Sequence, residues 1–125
     1  MKRVIAAVVI LIIAVGSSIG VYCGIISRVD SLLETARHTR DDVVESGETD
    51  QGQTDVLMKE WEDSEHFMAA FLPHSELDDI EIGIRNIENY HTQKLTDEYL
   101  EELNGCINRL EHIKESEKPS FKNIF

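Results

Sequence analysis

The residues best suited to chemistry are His66, His74 and Asp78, with Glu65, Glu76 and Asp79 close by in the chain. Neutral imidazole nitrogens with a carboxylate oxygen suit zinc or a similar divalent ion. These three are therefore the candidate metal ligands. Their spacing matches no established metal motif, and the plainer reading is preferred: His74 supports a turn, and His66 is a half-exposed helix residue. Trp61 is read first as a core residue and second as a ligand-stacking one, and His112 as packing or bonding across the bundle; docking is the other reading of both. Glu101, Glu102, Glu111, Glu115 and Glu117 make a solvated acidic face, with no Asp/Asn/Gly calcium loop. No Ser-His-Asp spacing, phosphate-binding glycine loop or CxxC pair is legible. No catalytic residue and no cofactor is expected.

Charge narrows the classes further. The chain has 125 residues with 12 basic and 24 acidic side chains, and only Lys2 and Arg3 of the charged residues precede Val4. The part after Ile26 thus has a formal charge of −14, ten basic residues against 24 acidic ones. Such a surface repels nucleic acid, which is excluded as a partner. Cys23 lies in an apolar run and Cys106 far along the chain, so no internal disulfide is expected.

Any such residues must be positioned by helices, and the first is apolar. Val4 to Ile26 is a run of 23 residues whose only ionisable side chains are Tyr22 and Cys23. At ~1.5 Å per residue it exceeds the ~30 Å hydrocarbon core of a bilayer. A cleaved signal peptide is the rival, with Ala14-Val15-Gly16 as its small-x-small site. Apolar character continues through Ile19, Val21, Ile25 and Ile26, which favours a retained anchor. Lys2 and Arg3 set the N-terminus on the cytoplasmic side. Gly16, Gly20 and Gly24 recur every four residues and form a stripe along which a second helix can approach in lipid. The lipid bilayer is one expected partner; a second copy or another membrane protein, met through this stripe, is the other.

Beyond the run, Ile25, Val29, Leu32, Ala36 and Val43 keep helical spacing, with Thr39 in one slot. The anchor is expected to continue as one rod to about residue 45. Ser46 to Asp55 reads as a polar loop. A second helix is expected over about 54–72, with Leu57, Trp61, Met68 and Phe71 on one face and Pro73 as its stop. Ser75 and Asp78 resemble a capping box for a third helix over about 76–92, carrying Leu77, Ile80, Ile84 and Ile87. Thr96 is the expected cap of a fourth over about 97–114, carrying Tyr99, Leu103, Cys106, Leu110 and Ile113. The fold class is all-α, an N-terminal transmembrane helix continuous with a small antiparallel four-helix bundle. Residues 1–26 form the cytoplasmic start and anchor, and 27–117 the extracytoplasmic bundle. In the tail, 118–125, Phe121, Ile124 and Phe125 are expected to fold back on the bundle or to dock a partner.

Several short segments follow one another along the chain: Trp61 followed by His66, the stretch His74-Ser-Glu-Leu-Asp78-Asp-Ile80-Glu81, Glu111-His112-Ile113, and the ending Asn123-Ile124-Phe125. With the basic start and single span, this order resembles the bacterial family known as domain of unknown function 4363. The resemblance implies a membrane-anchored helical protein, mainly of Gram-positive bacteria, with no activity attached. The leading expectation is a non-enzymatic interaction or assembly module at the outer membrane face. A sensor or scavenger of divalent cations is the alternative, and a hydrolytic enzyme has least support.

Overall fold

The computed structural model describes residues 1–117, which form four helices, with no strand among these residues. The helices are α1 (Lys2–Ser46), α2 (Gln51–Ala69), α3 (His74–Thr92) and α4 (Thr96–Glu117). The tail with Phe121, Ile124 and Phe125 lies outside the described residues.

Each helix packs on two neighbours: α1 on α2 and α4, and α3 on α2 and α4. Cross-links fix the directions. Going up α1, Asp30 pairs with Lys114 at 2.7 Å and Arg37 with Glu111 at 2.7 Å, so α4 descends. Arg28 and Ser31 likewise meet Asp63 and Glu60, so α2 descends too. Short connections complete an antiparallel bundle.

The core follows the helical spacing of the apolar residues. Ile25, Val29, Leu32, Leu33, Ala36 and Val43 of α1 meet Leu57, Trp61 and Met68 of α2. Leu77, Ile80, Ile84 and Ile87 of α3 and Tyr99, Leu103, Cys106, Ile107, Leu110 and Ile113 of α4 complete it. Thr39 and Ser64, which interrupt the apolar pattern, are also buried. Thr39 satisfies its hydroxyl within the helix by donating to the Thr35 carbonyl at 2.8 Å.

α1 is unbroken over 45 residues, so the apolar run and the bundle share one rod ~68 Å long. Residues 1–20 are exposed throughout, and the bundle begins at Val21 and Ile25. The bundle therefore reaches further down α1 than a division at residue 26.

Four local boundaries differ from the spacing argument. The loop expected to run to Asp55 stops at Asp50, whose carboxylate accepts the Gly52 N–H at 3.0 Å and starts α2 there. This N-cap outweighs the weak helix propensity of Gly52. At its other end α2 stops at Ala69, short of Leu72. The Ala70 and Phe71 amides bond three residues back, at 3.3 and 3.0 Å, tightening the chain ahead of Pro73. The tightened turn buries Leu72 and turns Phe71 outward, off the core face it was expected to share. α3 begins at His74 behind Pro73, with no side-chain cap, so Ser75 lies inside the first turn rather than at the cap. The first bond of α4, Tyr99 N–H to the Leu95 carbonyl at 2.9 Å, places the cap one residue before Thr96.

Candidate functional site

Two surfaces carry the expected functional residues: the bare N-terminal length of α1, and the end of the bundle where α1 enters it. Gly16 and Gly20 open on empty space, with nothing within 4 Å of where a Cβ would stand. Around them Ile12, Ile13, Val15 and Ile19 are exposed. Gly24 differs: a Cβ there would stand 2.8 Å from the tip of the Phe67 ring. One of the three stripe glycines is thus occupied from within the chain, and Gly16 and Gly20 are open among the described residues.

Phe67 is held on both sides. The Arg28 guanidinium lies 4.7 Å above its ring centroid, and the Phe71 ring sits 5.3 Å away, tilted by 58°. Arg28 also donates to the Asp63 carbonyl at 3.3 Å. A cation over an aromatic face is attracted by the ring quadrupole. Sequence spacing missed Phe67 because it lies off the Leu57-Trp61-Met68 stripe. The usable signal was the i, i+4 pair Phe67 and Phe71 at the end of α2.

The structure does not gather His66, His74 and Asp78 into a ligand set. All three are exposed, and among the described residues no group of three His, Cys, Asp or Glu is placed to share an ion. The turn between α2 and α3 separates His66 from the other two, while His74 and Asp78 lie one helical turn apart on α3.

Trp61 is buried in the core, and its indole N–H donates to the Glu81 carboxylate. Arg85 Nε donates to the other Glu81 oxygen at 2.9 Å. With Met58, Ile84 and Glu88 these residues border a cleft of ≈ 400 Å³ between α2 and α3. His112 is exposed, and its Nε2 lies 3.4 Å from the Ser116 hydroxyl on the same helix rather than across the bundle.

Two buried groups are shifted. Burial, reinforced by the Glu102 charge, pushes the Cys106 thiol up to about 11 against the opposing influence of Arg109. A thiol held protonated is a poor nucleophile. Burial also raises Tyr99, opposed by its hydrogen bond to Thr54 and assisted by the Asp50 charge.

No curated protein and no solved structure matches the chain. A family model does: DUF4363, a domain of unknown function, matches residues 25–124. The match starts at Ile25, the first buried core residue of α1. The bundle is thus the part that the family model describes, and the chain belongs to the DUF4363 family.

Proposed function

We propose that this protein is a single-pass membrane protein whose helical domain serves as a non-enzymatic interaction module, with the N-terminus in the cytoplasm and the bundle outside. One observation carries the reading: α1 is long and apolar enough to cross a membrane, and its first 20 residues are exposed among the described residues. In water such a surface would be costly; in lipid it is at home. The basic residues ahead of the span support the orientation.

Assembly enters through the same helix. Gly16 and Gly20 leave a flat strip on which a second copy or another membrane helix can pack closely. Because α1 continues unbroken into the core, such a partner would set the direction in which the bundle faces.

Two measurements test this. Alkaline phosphatase fused to the C-terminus should be active, as it folds only outside the cytoplasm; an active N-terminal fusion and inactive C-terminal fusion would reverse the orientation. In a membrane two-hybrid assay Gly20→Ile should abolish association. Unchanged association would remove the stripe from the reading.

A further inference from the structure

The level at which the bilayer ends along α1 can be read from its side chains, and it falls within the bundle. This inference rests on the reading of α1 as a membrane span. Arg3 and Tyr22 bracket an uncharged stretch. The 19 residue steps between them rise ~28 Å, close to the ~30 Å hydrocarbon core. Tyrosine favours the membrane–water interface. Yet at this level the bundle has already begun, since Val21 packs on the core and Gly24 touches Phe67.

α2 runs antiparallel to α1, so residues after Phe67 lie nearer the N-terminal end of α1. Phe71, four residues on and with its ring 5.3 Å from that of Phe67, lies on the side of Phe67 toward the N-terminal end of α1. It is 50% exposed, in the turn between α2 and α3. Above it come Phe67, half-buried, and then the Arg28 guanidinium. Arg28 stands ~9 Å above Tyr22 along the helix. The order exposed phenyl, stacked phenyl, cation follows the change across a bilayer interface from acyl chain to phosphate. It is also continuous with the lipid-facing surface of α1.

We propose that the turn at residues 70–73 is a second membrane contact, with Phe71 inserted into the interfacial region of the phospholipid bilayer. A single helical span leaves the tilt of the bundle against the bilayer unset. A second contact on α2 restrains that tilt and holds the α2–α3 end of the bundle at the interface.

The test uses the full chain in phosphatidylcholine vesicles containing lipids brominated on the acyl chains near the glycerol. Native Trp61 is buried within the bundle, so the unsubstituted protein supplies the background emission. Three variants each add one tryptophan: Phe71→Trp, Ile10→Trp within the span, and Val44→Trp at the far end of α1. The added emission of Phe71→Trp and Ile10→Trp should be strongly quenched, and that of Val44→Trp should not. If Ile10→Trp is quenched while Phe71→Trp behaves like Val44→Trp, the second contact is overturned and the span stands. A blue-shifted but unquenched Phe71→Trp overturns it equally, because protein rather than lipid then covers the position. If Ile10→Trp escapes quenching, the span itself fails.

Discussion

Gly24 and Phe67 interlock where α1 enters the bundle: the ring tip of Phe67 fills the space that a side chain at Gly24 would need. Gly20, one turn below, has nothing within 4 Å of where its Cβ would stand among the described residues. Two glycines of one stripe therefore do different work, one closing the bundle and the other leaving an exposed apolar surface bare.

Alanine at the two positions should separate these roles. Gly20→Ala should leave bundle unfolding in micelles unchanged or slightly stabilised, since alanine gains up to ~1 kcal/mol in a helix. Gly24→Ala meets Phe67 and should lie about 1–2 kcal/mol below it, as overpacking costs that much. Combining Gly24→Ala with Phe67→Ala should be less harmful than the sum of the two. Strict additivity in that double-mutant cycle would contradict the contact.

A second close approach joins α3 to α4. A Cβ on Gly83 would stand 2.6 Å from Cys106 Sγ. Gly83→Ala should cost roughly 1–3 kcal/mol by denaturant titration. Adding Cys106→Ala should recover part of the loss by removing the sulfur. A double variant no more stable than Gly83→Ala alone would show that the strain lies elsewhere.

Alkaline pH should destabilise the bundle. Cys106 is pushed up to about 11 in the folded protein, against 9.0 for the free thiol, so the folded state holds this proton where the unfolded chain has lost it. The contribution is complete below about pH 9 and is lost as pH rises toward about 11. Tyr99, also raised, acts in the same direction above its ordinary value of 10.0. Melting temperature should stay level near neutrality and fall above pH 9, less steeply in Cys106→Ala than in the unsubstituted protein. Identical pH profiles would remove Cys106 from this account.

Thr54 and Tyr99 join the diagonal helices α2 and α4 at the end far from α1's entry. The Thr54 hydroxyl donates to the Asp50 carbonyl at 2.8 Å, so the Tyr99 hydroxyl, 2.8 Å away, is the donor between the two. Thr54→Val should strand that buried phenol and cost about 1–3 kcal/mol. Tyr99→Phe in the same background should restore part of the loss, because neither side then has a polar atom without a partner.

Lys94 adopts φ 58° in the turn after α3, where the Leu95 N–H reaches back to the Tyr90 carbonyl at 2.9 Å. A side chain is strained in this left-handed conformation, and glycine is not. Lys94→Gly should therefore stabilise the protein by about 0.5–1 kcal/mol in thermal unfolding. A loss would mean that the lysine side chain contributes more than its backbone costs.

By itself the sequence determined the elements and the shared rod. Apolar residues at helical spacing from Ile25 to Val43 have one face to bury, and the run from Val4 to Gly20 has no polar face at all. Those patterns depend only on the period of the helix, so four helices and an apolar start were legible. The helix ends were less so, because the Asp50 cap and the tightened turn after Met68 depend on hydrogen bonds that the apolar period does not record. Only the tertiary structure decided which residues meet. Helix spacing gives each residue's face but not its height against a neighbouring helix, so it could not tell that Phe67 lies opposite Gly24 or Glu81 beside Trp61. For the same reason His66, His74 and Asp78, near in sequence, are not gathered into one ligand set, and Phe71 leaves the core face. Register between helices is set by side chains packing against one another, and a pattern read along one helix at a time does not contain it.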